Sequence, residues 1–313
     1  MNTYKIFLKV GTAILMCLTS CTVSKSVVSS STQTSLLDSF EIITNLDLKI
    51  TETSGLEFYN NNLITHNDSD TGSVIYFLDT LGTIQSQTEF KNIKNVDWED
   101  IARSKEHFFI ADIGNNYGNR KDLAIYKIPL KDLDNPMIVP KLLELEYNTQ
   151  TDFEIRNQYH SYDGEAIVYV NDQLFLFSKD WTNFNTDVYA LKQKPGKQKL
   201  VSTQNIPING LVTGATTNGK NRVVLCGYNS GLDPFAVILK IKNDGSFELV
   251  ERVILPLKNG AQIEAITFYK TKNNQEIYYL TSEAVNIKLG DNEATTNGQL
   301  YKMTLKLNNI PLD

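Results

Sequence analysis

Beyond residue 38 the chain alternates short apolar runs with turn residues, and no stretch keeps a helical period for a dozen positions. Runs of this kind, alternating or unbroken and bounded by Gly, Asn and Asp, predict β-strands and an all-β fold. A reduced form of Val96-Asp97-Trp98-Glu99-Asp100-Ile101-Ala102 returns as Ser54-Gly55-Leu56, Glu165-Ala166-Ile167, Thr213-Gly214-Ala215 and Glu264-Ala265-Ile266. Each copy carries an oxygen-bearing side chain, usually a small residue next and then an apolar one, ahead of a second apolar run. Spacings of 45, 66, 48 and 51 residues suit one four-stranded unit each, the longest leaving room for an insertion around Asn148 to Tyr162.

Five such units predict a five-bladed β-propeller, with a six-bladed ring containing one degenerate blade as the competing arrangement. The fifth unit offers only three runs, Glu264 to Tyr269, Gln275 to Thr281 and Gln299 to Leu307. Phe40 to Leu48 is expected to supply its outer strand, because a ring completed by its own N-terminal strand has no open edge. Asn209-Gly210, Asn218-Gly219, Asp244-Gly245, Asn259-Gly260 and Asn297-Gly298 predict turns.

Composition narrows the function. The 313 residues are 41% hydrophobic and 21% charged, which is enough apolar content for a sizeable core. A net charge of −6 and a pI near 5.3 argue against a binder of phosphate backbones, so no nucleic-acid partner is expected. Lys5 and Lys9 flank an apolar stretch, Val10 to Leu18, that runs into Leu18-Thr19-Ser20-Cys21 and is short for a membrane span. This resembles a bacterial lipoprotein signal, with an ordinary cleavable signal or a short anchor as the alternative. The resemblance implies removal of residues 1–20, lipidation of Cys21, a Ser/Thr-rich tether over 21–38 and a propeller domain over 39–313. It also implies a place in the bacterial cell envelope outside the cytoplasm, with the outer membrane favoured and the bilayer touched only through the lipid. Of the three cysteines, Cys17 leaves with the leader and Cys21 is acylated, so no disulfide is expected. Cys226, inside an apolar run, reads as a small buried hydrophobe.

In a blade the innermost strand starts at one face and the second strand returns to it. The column Ser54, Glu99, Glu165, Thr213 and Glu264 should therefore meet the ends of the second strands at one mouth of the tunnel. Those ends bring His66, Asn67 and Asp68, then Asp112, Asn115 and Asn116, then Lys179 and Asp180, then Tyr228, and last Glu283. The opposite turns, such as Ser104 to Glu106, read as ordinary surface. Three carboxylates and two hydroxyls around an axis repel unless they are protonated or bridged by a cation, and hard oxygen donors favour Ca²⁺. The alternative is that these groups bond to inner-strand backbone and a column of water.

Asp68, Asp112 and His66 are candidates to orient a water, and Arg120 to grip an anion. Asn67, Asn115, Asn116, His160, Lys179, Asp180, Tyr228 and Glu283 are candidates for ligand contact. For Arg120 and Lys179 a salt bridge to Asp112 or Asp180 competes, and for Trp98 and Trp181 packing is favoured. The chain has no His-Glu-x-x-His, Cys-x-x-Cys, Walker loop or Gly-x-Ser-x-Gly elbow. Two functions follow: a face that binds a small molecule or protein partner above an axial Ca²⁺, or a Ca²⁺-dependent hydrolase of a phosphorylated or ester substrate.

Ser54-Gly55-Leu56, His66-Asn67-Asp68-Ser69, Asp97 to Ala102, Asp112 to Asn116, Arg120 and Asp163-Gly164-Glu165-Ala166 resemble a group of bacterial secreted propellers in the style of the SdiA-regulated and esterase-like phytase families. That resemblance implies fold more than activity. More distantly, the series Ser, Glu, Glu, Thr, Glu is similar to the axial calcium ligands of the five-bladed calcium-activated nucleotidases, with Thr213 in place of a second Ser. Where that family has Asp-Asp-Arg-Thr-Gly, this chain has Asp68-Ser69-Asp70-Thr71-Gly72, so a phosphate-binding arginine is replaced by a carboxylate.

Overall fold

Both faces of most strands find apolar neighbours, and this is why short runs suffice. In Arg222–Tyr228, Val223 and Leu225 pack towards the third blade while Val224 and Cys226 pack towards the fifth, all of them buried. The computed structural model describes residues 35–69, 72–257, 261–289 and 292–306. The expected leader, Cys21, most of the tether, Asp70, Thr71 and the Asn259-Gly260 turn lie outside these residues.

The strands form five antiparallel blades, each counted here from the axis outwards. The first is Thr53–Tyr59, Asn62–Asn67, Val74–Leu78 and Ile84–Glu89. The second is Trp98–Arg103, His107–Asp112, Ala124–Pro129 and Lys141–Tyr147. The third is Asp163–Val170, Gln173–Lys179, Thr186–Leu191 and Ser202–Ile206. The fourth is Leu211–Thr217, Arg222–Tyr228, Pro234–Ile241 and Phe247–Ile254. The fifth is Ile263–Lys272, Gln275–Ser282 and Gln299–Lys306, closed on its outside by Leu37–Asn45. Five blades account for the ring, and the six-bladed alternative falls away.

Three features lie beyond the sequence reading. Gly196–Leu200 leaves the third blade and pairs in parallel with Lys141–Tyr147, adding a fifth strand to the second blade. Val285–Leu289 and Asn292–Thr296 form a separate two-stranded ribbon. The closing strand is Leu37–Asn45, shifted three residues towards the N-terminus from the expected Phe40 to Leu48, with Leu36 buried before it and the Leu36 amide held by Glu251.

The core is divided among the blade junctions, one cluster to each. Trp98, Ile101 and Phe108 meet Ile64 and Ile75 between the first two blades, and Leu56 and Leu63 meet Ala265, Tyr279 and Leu300 where the ring closes. Each fully buried aliphatic side chain contributes about 1.5 to 3 kcal/mol. Three inner hairpins turn on residue pairs with positive φ, Asn60-Asn61, Asn171-Asp172 and Asn273-Asn274. That is the geometry of a two-residue turn matching the strand twist.

Candidate functional site

One local device recurs at the start of every inner strand. The register with the second strand slips by one residue at Gly55, Glu99, Glu165, Thr213 and Glu264, which makes a β-bulge at the same level in all five blades. A bulge takes its extra residue out of the ladder and re-aims the side chain. In four blades the bulged residue is the column residue itself, whereas in the first it is Gly55, one past Ser54.

The bulges open on a polar cavity of about 160 Å³. Ser54, Glu99, Glu165 and Glu264 line it, and second-strand ends and loops add Asp68, Asn116, Lys179, Tyr228 and Glu283. Gln158, Trp181 and Gln262 complete the wall. Thr213 is not part of the lining, since its hydroxyl donates to the Ile263 carbonyl at 2.6 Å and rests 3.7 Å from the Cys226 sulfur. The Ser54 hydroxyl likewise donates to main chain, to the Glu99 carbonyl at 2.5 Å.

Lys179 is the central cation. Its ammonium lies 3.1 Å from Glu165 Oε1, as an ion pair without hydrogen-bond alignment, and faces the rings of Trp181 at 4.9 Å and Tyr228 at 5.5 Å. Burial alone would lower its pKa, but Glu165, with Tyr228, Glu264 and Asp163, raises it well above the usual lysine value. Carboxyl groups outnumber it. Burial pushes Glu264 up to about 7, and burial together with Glu264 and Asp68 pushes Glu283 up to about 9. Glu99 is driven well above the usual range by burial and by Glu165 and Asp97, and Glu165 by burial despite Lys179. Glu99 Oε1 and Asp97 Oδ2 both crowd the space that a side chain at Gly114 would occupy. Asp97 rises to about 7, chiefly through burial.

Several candidate side chains are instead spent on holding loops. Arg120 donates to Asp112 at 2.7 Å, to Asp122 at 3.1 Å and to the Gly114 carbonyl at 2.7 Å, while Asp112 also accepts the amides of Val96 and Asp97. Asn115 ties the Tyr162 carbonyl and the Arg120 amide, and Asn67 ties the Glu52 amide and the Lys49 carbonyl. Asp180 caps a turn through Thr182 and Asn183, which lowers its pKa against the effect of burial. His160 accepts the Tyr162 amide and donates to the Asn116 carbonyl, positioning the cavity wall without lining it.

His66 is fully buried and edge-on to Trp98, with ring centroids 5.4 Å apart. Its Nδ1 bonds the Asn67 carbonyl and Nε2 has no partner. The second strand continues to Asn67, and the period of two turns the imidazole into the blade junction instead of the mouth. Burial lowers its pKa to about 4. As pH falls from 6.5 towards 4 the unfolded chain takes up this proton and the folded one does not. Stability should therefore drop by about 3 kcal/mol over that window. The raised carboxyls act in the opposite sense, so the check is the difference between the native chain and His66→Gln in denaturant midpoints from pH 7 to 4. An unchanged slope in the variant would remove His66 from the account.

Sequence reasoning passed over the residues two positions before the column. Glu52, Asp97, Asp163 and Gln262 occupy that place in four blades, and a period of two puts them on the column's face. Gln262 lines the cavity, and Asp163 holds the Asn115 amide at 2.6 Å and the Trp181 indole at 2.7 Å. It also passed over Asp100, whose Oδ2 accepts the amides of Ile167 at 2.8 Å and Ala215 at 3.3 Å while Oδ1 accepts that of Ile101.

The fold and site define a β-propeller with an acidic, lysine-centred mouth. No family model matches the chain, and no curated protein matches it. Similar solved structures include the periplasmic gluconolactonase of Pseudomonas aeruginosa, at 13% identity over 78% of this chain and 71% of that one with a TM-score of 0.38. Another is the β-propeller domain of Cps50 (Swd1) from Myceliophteria thermophila, at 8% identity over 84% of this chain and 99% of that one with a TM-score of 0.41. Neither likeness bears on the chemistry of the mouth.

Proposed function

We propose that this is a binding propeller, tethered in the cell envelope through Cys21, whose mouth takes a hard divalent cation of the calcium class and presents it to a small polar ligand or partner. The observation that carries the reading is the excess of carboxyl groups: Asp68, Glu99, Glu165, Glu264 and Glu283 face one cavity in which, among the described residues, Lys179 is the one cationic side chain in the lining. A bound cation would take the place of the protons that burial and crowding favour there. Among the described residues no three such side chains converge closely enough to chelate an ion directly. The donor set therefore suits a cation held partly through water. A cavity of about 160 Å³ has room for several waters, and Ca²⁺ keeps waters readily.

Calorimetric titration of the full chain with calcium chloride tests this. Glu99→Gln and Glu264→Gln are each expected to weaken binding about tenfold or more, and Lys179→Met, which removes a competing positive charge, to strengthen it several-fold. No binding by about 10 mM, or an affinity indifferent to all three changes, would sink the proposal. Incorporation of labelled fatty acid, lost in Cys21→Ser, tests the tether separately.

A second reading, a calcium-dependent hydrolase, is favoured by one contact: the Asp97 and Glu99 carboxyls crowd the same space beside Gly114, as groups sharing a proton for acid–base work would. It requires chelator-sensitive turnover of a nucleotide, phosphomonoester or aryl ester, lost in Asp97→Asn.

A further inference from the structure

The other end of the tunnel holds a second cavity, of about 400 Å³, to which all five inner strands contribute. Along the second blade's inner strand the order is Glu99 at the acidic mouth, Asp100 buried on the axis and Arg103 at this far end. Ile167 and Ala215, whose amides Asp100 holds, are among the far cavity's walls. The two ends are therefore separate compartments with different chemistry.

Arg103 dominates the far one. Its Nε donates to Glu57 at 2.9 Å and to the Phe58 carbonyl at 3.3 Å, and the guanidinium lies 5.6 Å from the centre of the Tyr59 ring. These contacts orient the guanidinium, yet Nη1 and Nη2 have no protein acceptor among the described residues, and the side chain is 38% exposed. Lys105 adds a second, exposed cation at the rim. Of the nearby anions, Glu57 is paired with Arg103, and exposed Asp172 accepts from the Tyr169 hydroxyl at 3.3 Å and keeps its charge. Half-buried Tyr169 and Phe268 supply apolar wall.

A guanidinium held by its Nε and open at both Nη atoms is preorganised to grip an oxyanion through two parallel bonds. The lining mixes polar groups with the two aromatic rings, so fixed polar groups can set the orientation of a small molecule while the rings contact its apolar part. We propose that the far mouth binds a small organic carboxylate, its oxygens on the Arg103 Nη pair and its apolar body against Tyr169 and Phe268. The state of Glu57 agrees with this. Burial, against the pull of Arg103, raises its carboxyl to about 7, so near neutrality it offsets only part of the guanidinium charge. Asp100, Lys105 and Asp172 are the other charged groups around it.

Benzoate is the probe, titrated into the full chain by calorimetry and ligand-observed NMR beside benzylamine and benzyl alcohol. Benzoate should bind while the amine and the alcohol do not. Arg103→Gln should weaken it at least about tenfold, as expected for losing a charged two-bond contact. Lys105→Gln should weaken it less, and Lys242→Gln, an exposed cation elsewhere, not at all. If Arg103→Gln does not fold, the three-ligand comparison and Lys105→Gln decide the matter on their own. The proposal is overturned if benzoate fails to bind by about 10 mM, binds no better than benzyl alcohol, or binds Arg103→Gln undiminished.

Discussion

Asp100→Ala is expected to lower folding stability by about 3 to 5 kcal/mol, the range for removing one member of a buried polar network and stranding its partners. The side chain is fully buried and its two oxygens accept three amides, from Ile101 in its own strand, Ile167 in the third blade and Ala215 in the fourth. Burial drives the Asp100 carboxyl well above the usual range, against the lowering effect of those same amides. Asp100→Asn keeps the shape but turns one acceptor into a donor facing an amide, so an intermediate loss is expected. Denaturant unfolding of the three proteins measures this. An alanine variant within about 1 kcal/mol of the native chain would show that the blades are not pinned at this point.

The second large effect is at Gly55. Its φ is +58°, and a Cβ there would lie 2.5 Å from His66 Nε2, 2.9 Å from the Ile101 amide nitrogen and 3.0 Å from Asp100 Cα. The last two are backbone of the adjoining blade, which cannot yield without opening the hub. Gly55→Ala should therefore cost about 3 kcal/mol or more. Gly219→Ala is the control, because Gly219 has a φ of +71° but no atom within 4 Å of the added carbon. There the conformational penalty stands alone, at about 1 to 2 kcal/mol. Equal losses at the two sites would remove the close approach of the blades from the explanation.

Much of this architecture was legible in the chain. The recurring oxygen-then-apolar triplet located all five inner strands, because each blade must bury both faces and still offer a polar group where its bulge opens. The closing strand was legible from a deficit, three runs where four were needed. What escaped notice depended on partners remote in sequence. Gly196–Leu200 has three polar residues in a row, Lys197 to Lys199, and reads as part of a turn, and its parallel pairing with Lys141–Tyr147 has no local signature. His66 was misplaced by the length of one strand, since two more residues of ladder carry the mouth past it. Thr213 matched the column in type and position, but a hydroxyl can satisfy a neighbouring carbonyl, and it does so here. Lys179 was legible as a cation of the mouth, whereas its seat between Glu165 and two aromatic rings belongs to the third dimension.

The pairing of Leu37–Asn45 with Gln299–Lys306 sets Phe40 opposite Met303. During synthesis the first of the described strands to leave the ribosome is thus the one whose mate, among them, is made last. Its hydrogen-bonding edge stays unmatched while four complete blades assemble behind it, and the loop it must finally close is nearly the whole domain, a slow step for any chain. A molecule cut short anywhere before Gln299 would keep that edge bare and offer it to another copy, so truncation should be felt as association before it is felt as lost secondary structure.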